Sequence, residues 1–260
     1  KSMTALLSGQ ADIGLMGPET AVYVHNEGKE DYAVVIGQLT KRDGSFLLGK
    51  VPDPDFDWSK LEGTSVIGGR AGGMPQMTLE YVLKQHGLVD GKNITVRTDV
   101  QFNLMGGAFI GGNDDYVTMF EPSASTMELA DEGYIVASVG EAGGEVPYTC
   151  FMVKKSYLEK NKDLLTGFIR AVYRGQQYVI GSSAQDVAKT LAPSFPDSDV
   201  DLLTVVAQRY KDIDVWKSDP VMLEADYGRL LDIIIEAGVI QSGPAYEDLI
   251  DNTIAESVRK

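Results

Sequence analysis

Short runs rich in β-branched and aromatic residues alternate with helix-like stretches through the first half of this chain, and this alternation restricts its possible folds. The runs are ADIGLMG, YAVVIGQL, TSVIGG, ITVRTD, DYVTMF and YIVASVG, often bounded by Gly or Asp. Between them lie PETAVYVHNEG, MPQMTLEYVLKQHG and SASTMELADEG, which read as helices closed by Gly28, Gly87 and Gly133 as C-terminal caps. Strands alternating with helices predict an α/β fold of parallel sheets covered by helices. Beyond Cys150 the pattern changes. Ser156 with Glu159, and Ser183 with Asp186, have capping-box spacing, and from there to Lys260 five helices and no strand are expected. Leu165, Phe168, Ile169 and Val172 recur at helical spacing and should face a core.

At 260 residues the chain can bury a substantial core, in one domain or two. Its longest apolar run, LLDIIIEAGVI, contains Asp232 and Glu236 and is no transmembrane helix. The net charge of -15 argues against a nucleic-acid partner, because phosphate binding needs clustered Lys and Arg. Between Thr98 and Val153 stand nine acids and no Lys or Arg, so that segment would be repelled by an anionic membrane surface. Cys150 is the single cysteine, which excludes an intramolecular disulfide and a Cys-rich metal site. It fits the cytoplasm, or an extracytoplasmic protein not built on disulfides. No signal peptide is visible, yet the first residues, KSMTALLSGQ, already read as a helix; a missing leader and a missing first unit are therefore expected.

Two segments, KVPDPDFDW and GEAGGEVPYT, read as connections. They predict a discontinuous outer lobe of residues 1–50 plus 149–260 and an inserted inner lobe of 51–148. Two chain crossings between the lobes would suit a hinge.

Three strand-to-helix junctions share one form. They run through Gly17-Pro18, through Gly72, Gly73, Met74 and Pro75, and through Glu121, Pro122 and Ser123. Proline suits a helix start because its missing N–H would be unpaired there. The glycines either turn a corner or bare backbone amides for a ligand, since helix starts carry free amides and partial positive charge. In parallel α/β sheets such corners gather at the carboxyl edges of strands, where ligands bind. GGRAGGMP lacks the ending of a P-loop and the spacing of a dinucleotide fingerprint, which argues against ATP or NAD. His25 and His86 fall late in helices and have no metal-spaced partner. Ser45 lacks a nucleophile elbow. No nucleophile, base and oxyanion site assemble, so no catalytic residue, metal or cofactor is predicted.

The stretches SGQADIGLMGPETAVYV, DWSKLEGTSVIGGRAGGMPQMTLEYVLKQHGL, DYVTMFEP and GEVPYTCFMVKKSYLEKNKDLLTGFIRAVYRGQQYV together resemble solute-binding proteins of ABC importers. The nearest branch is the sulfonate, nitrate and thiamine-pyrimidine-precursor group. The resemblance implies a two-lobed, type II periplasmic-binding-protein-like fold with a helix-rich C-terminal part. It also implies no catalysis, an extracytoplasmic location reached by a signal or lipid anchor, and permease subunits as partners. That family opens with a strand-helix-strand unit before the SGQADIG region, a unit absent here. Carried over by position, its contacts suggest Gly17, Pro18, Glu19, Thr20, Thr40 and Arg42 from the outer lobe, and Gly72, Gly73, Met74, Pro75, Phe120, Glu121 and Pro122 from the inner lobe. Phe102 and Tyr148 are expected as aromatic walls.

Two solute chemistries remain open. Helix starts with Arg42 or Arg70 would suit a sulfonate or carboxylate. Glu19 and Glu121 with aromatic walls would suit an aminopyrimidine, and the acidic middle segment leans toward such a neutral or cationic heterocycle. The rivals in other classes are a pyrimidine-synthase-like enzyme on the same frame, which would need a lysine and histidine at the junctions, and a ligand-binding sensor domain.

Overall fold

The structure, a computed structural model, describes residues 1–259. Its strands are β1 (Gly14–Met16), β2 (Ala33–Gln38), β3 (Ser45–Gly49), β4 (Ser65–Ile67), β5 (Thr95–Arg97), β6 (Tyr116–Phe120), β7 (Tyr134–Ser138) and β8 (Cys150–Lys154). They form two sheets, one in each of two compact units. The first unit comprises residues 1–42, 145–182 and those from Trp216 onward; the second comprises 43–144 and 183–215. The chain therefore passes between units at 42/43, 144/145, 182/183 and 215/216, four passages where two are expected from sequence.

In the first unit the sheet order is β1-β8-β2, and β8 runs antiparallel to both neighbours, pairing Met16 with Cys150 and Gln38 with Cys150. The register shifts between Val35 and Gly37. A Cβ at Gly37 would stand 2.9 Å from Ile169 Cδ1, so glycine here leaves room for a buried side chain of the Lys162–Gly181 helix. Val34, Ile36, Val153, Leu158, Leu165, Ile169 and Ile254 form the core beneath. Of the predicted helical stripe, Leu165 and Ile169 are fully buried with Phe168 packed beside them, while Val172 is only half-buried.

In the second unit the order is β5-β4-β6-β3-β7. β4 is parallel to β5 and β6, whereas β3 is antiparallel to β6 and β7. Leu47, Trp58, Val66, Leu79, Leu83 and Val96 lie at the centre of its core. Each sheet thus contains one strand running against the rest, which corrects the expectation of purely parallel sheets. Both of these strands, β3 and β8, lie just after a passage between units and enter their sheet from the opposite end.

The Met74–Gln85 helix ends as predicted. Gly87 adopts φ 77°, its amide donates to Lys84 O, and the Leu88 amide donates to Leu83 O at 2.9 Å, a Schellman closure. Gly28 closes the Glu19–Asn26 helix with φ 76°. Gly133 does not cap the Ser123–Leu129 helix; Asp131 takes the left-handed conformation there, with φ 55°. Gly133 instead admits close packing, since a Cβ would lie 3.1 Å from Phe109 and 3.3 Å from Leu48.

Ser183 caps the Ala184–Leu191 helix, accepting from the Asp186 amide and donating to its carboxylate. Ser156 is no cap: its amide and hydroxyl both donate to Asp31. Burial works against ionisation of Asp31, but the two Ser156 bonds and Lys154 outweigh it and lower the carboxyl's pKa. Seven α-helices follow β8 among the described residues where five are expected; Lys155–Lys160, Tyr246–Leu249 and Thr253–Val258 are the shortest of them. The segment 183–215, expected in the outer lobe, groups with the second unit through contacts of the Val200–Asp212 helix. KVPDPDFDW lies wholly inside the second unit, while GEAGGEVPYT spans the 144/145 passage.

Candidate functional site

In the first unit the β1 corner is built around Glu19. The Gly17 carbonyl accepts from the Thr20 hydroxyl at 2.7 Å and from the Thr20 amide at 3.2 Å, and Pro18 O accepts from the Ala21 amide. Pro18 and Glu19 are buried. A Cβ on Gly17 would stand 2.0 Å from Glu19 Oε2, so the carboxylate folds back over the turn. Beneath it lies Cys150, whose thiol is pushed well above its ordinary pKa by burial and then by the charge of Glu19. A thiol held neutral in this way is a poor nucleophile.

Thr40, Arg42 and Tyr148 are brought together by the segments that approach the passages. Thr40 O accepts from the Tyr148 amide at 3.2 Å, and the Thr40 and Thr149 hydroxyls are 2.6 Å apart. Gln176, which sequence reasoning missed, reaches from the Lys162–Gly181 helix to donate to Gln38 O. Arg42 Nη2 lies 3.6 Å from Glu145, while its shielded Nε has no hydrogen-bond partner.

In the second unit the glycine corner does not offer bare amides at Gly72 and Gly73. The Gly72 amide donates to Gln76 Oε1 at 2.9 Å and the Gly73 amide to Arg70 O at 3.1 Å. Gly72, at φ 73°, makes the turn, and Gln76 is held in turn by Glu80. Met74 is a core side chain, 2 % exposed, and Pro75 sits in the helix's first turn. Arg70 is exposed. The sequence's corner-turning reading accounts for these glycines.

The β6 corner is also held internally. The Glu121 side chain is fully buried and accepts from the Ser125 amide at 2.9 Å and the Ser125 hydroxyl at 2.7 Å. Arg209, on the Val200–Asp212 helix, donates to Glu121 at 3.2 Å, to Ser125 Oγ at 2.7 Å and to Glu128. Burial opposes the charge of Arg209, but Glu128 and Glu121 outweigh it and raise the guanidinium's pKa. Tyr210 follows: its hydroxyl accepts from the Glu121 amide and donates to Gly44 O, each at 3.2 Å, while its ring stacks on Phe46. Beside this cluster Phe102, 62 % exposed, meets Phe120 with ring centroids 5.7 Å apart. Arg209 and Tyr210 lie about 90 positions from the corner, a separation that no local motif reports.

His25 and His86 sit at helix ends against Tyr32 and Trp58. Among the described residues no three His, Cys, Asp or Glu side chains gather as a metal site. No described helix is long and apolar enough to cross a membrane. A groove of about 170 Å³ on the first unit, lined by Tyr32, Leu158, Lys162 and Asp248 among others, contains none of the predicted site residues.

Two discontinuous α/β units with one mixed or antiparallel sheet each, and a helix-rich C-terminal part, define the two-lobed periplasmic-binding-protein class. The chain belongs to the family described as NMT1/THI5 like, whose pattern matches residues 1–185. It is 41 % identical over 258 residues to YtlA of Bacillus subtilis (strain 168), a candidate binding protein, covering 99 % of this chain and 77 % of that one. The fold is similar to that of the ligand-binding component of an ABC-type import system from Staphylococcus aureus, solved with zinc bound. The TM-score is 0.79 at 14 % identity, over 98 % of this chain and 84 % of that one. It is also similar to the alkanesulfonate-binding protein SsuA of Xanthomonas axonopodis pv. citri bound to MOPS, with TM-score 0.76 at 16 % identity over 96 % and 83 % of the two chains. For the nitrate-binding protein NrtA of Synechocystis PCC 6803 the values are 0.75, 14 %, 99 % and 77 %.

Proposed function

We propose that this chain is the extracytoplasmic solute-binding component of an ABC importer, delivering a small organic solute with an anionic head to permease subunits without chemical change. The reading is carried by relation to a candidate binding protein over 99 % of the chain. A fold held in common with proteins named for alkanesulfonate and nitrate binding supports it. An N-terminal anchor holding it at the membrane belongs to the same proposal.

Charges within the units favour an anionic head. Glu121 is engaged by Ser125 and Arg209, which leaves it a poor acceptor for the N–H groups of an aminopyrimidine. Arg42 keeps a shielded Nε without a partner, and a guanidinium suits a sulfonate or carboxylate. Within the second unit, Phe102 and Phe120 form an aromatic pair that suits an apolar group. A solute with higher affinity for one conformation would favour that conformation for the permease, a population shift set by differential affinity.

The test is a thermal-shift screen of alkanesulfonates, nitrate and aminopyrimidines. A solute present at about 100 times its Kd should stabilise the protein by about 2.7 kcal/mol. An aminopyrimidine that raises the melting temperature where no anion does would reverse the solute class. A phosphate-bearing cofactor that alone does so would replace the carrier with a pyrimidine-synthase-like enzyme.

A further inference from the structure

We infer that Arg209 is a specificity-determining positioning residue: it holds the Glu121 carboxylate inside the second unit, so that the Phe120–Pro122 corner meets solute with an aromatic ring rather than a charge. The inference rests on the reading that this corner touches the solute. It adds a residue from the 183–215 segment, which no strand-to-helix motif includes.

A glutamate that follows a strand at a proline corner can take either of two positions. It can turn outward and attract cations, or fold back onto the next helix. Folding back here buries the carboxylate completely, and a buried carboxylate needs a cation and several donors to remain charged. Ser125 supplies two donors and Arg209 supplies the cation. The same guanidinium nitrogen also donates to Ser125 Oγ, so the hydroxyl is oriented to donate onward to Glu121. The other end of the guanidinium is fixed by Glu128. A planar fork can serve both acids at once; a lysine, with one point of charge, cannot do so with the same geometry. Tyr210 holds the backbone of the same residue, since its hydroxyl accepts from the Glu121 amide. With the acid withdrawn, the exposed Phe102 and the partly exposed Phe120 are the aromatic side chains displayed beside this corner.

Two measurements on the full chain separate this inference from the reading it rests on. The first needs no solute. Carboxyls are labelled with a carbodiimide and glycine ethyl ester and followed by mass spectrometry. Glu121 should be protected in the wild type while the exposed Glu132 reacts, and Arg209→Met should speed Glu121 labelling about tenfold or more, a charge-assisted hydrogen bond being lost. Arg209→Lys, which keeps the charge and so guards against misfolding, should fall between the two. Wild-type Glu121 reacting as fast as Glu132 overturns the inference.

The second measurement uses a matched pair of probes, 1-pentanesulfonate and n-pentylammonium. The wild type should be stabilised by the first only. Arg209→Met should gain a response to pentylammonium, and Arg209→Met/Glu121→Gln should lose it again. If pentanesulfonate binds and Arg209→Met leaves the preference unchanged, the inference fails while the carrier reading stands. If the wild type binds neither probe, the anionic-solute reading fails and the labelling still decides the position of Glu121.

Discussion

At Gly17 a Cβ would stand 2.0 Å from Oε2 and 2.7 Å from Oε1 of Glu19, because that carboxylate folds back over the turn rather than extending away from it. The requirement for glycine is steric rather than conformational, since Gly17 is not among the positive-φ positions. Any side chain there forces a buried carboxylate to move, and overpacking of this kind costs about 1–3 kcal/mol. Gly17→Ala should therefore lower the urea midpoint by an amount that largely disappears in a Glu19→Ala background, as a double-mutant cycle would register. Equal costs in both backgrounds would show that the Glu19 carboxylate does not occupy this space. At the β6 corner the residue-level lesson is similar: Glu121 was visible as an acid at a helix start, but its orientation was set by Arg209 from far along the chain.

The six strands legible in the sequence are those that point one way within their sheets, and the two missed, β3 and β8, run against them. SFLLG and CFMVK are short apolar runs with no period of their own, and both follow directly on polar or glycine-bearing passages. Their pairing depends on a partner strand more than a hundred residues away for β8, and about seventy for β3. Helices were legible where a cap and helical pattern agreed, as at Met74–Gln85, and where periodicity stood alone, as at Lys162–Gly181. Capping-box spacing alone was ambiguous: it was right at Ser183, where the hydroxyl accepts from the Asp186 amide, and misleading at Ser156, which Asp31 takes. Ser183→Ala should accordingly cost about 1 kcal/mol through loss of a cap, with the urea m-value unchanged. A changed m-value would mean that the Ala184–Leu191 helix detaches as a unit instead of losing one bond. The corner glycines were legible as a turn, but the bonds to Gly72 and Gly73 depend on side-chain and carbonyl positions that spacing does not encode.

For the molecule as a whole, the second unit is not the continuous inner segment that the sequence suggested. It is completed by residues 183–215, and the connection is chemical as well as spatial. Cut at Gly144, the fragment 43–144 would leave the buried Glu121 without its cation and Phe46 without the Tyr210 ring. An unpaired buried charge costs about 3–5 kcal/mol, against total domain stabilities of about 5–15 kcal/mol. Fragment 43–144 alone should therefore fail to give a cooperative urea transition, as read by far-UV circular dichroism and tryptophan fluorescence from Trp58. The same fragment joined to 183–215 by a flexible Gly/Ser linker should recover one. Glu121→Gln in the short fragment should restore part of the lost stability, because an uncharged amide needs no cation where the carboxylate does. Should the short fragment unfold with the same midpoint and steepness as the joined one, the Val200–Asp212 helix would be an accessory to the second unit, and Arg209 could not be what keeps the β6 corner in place.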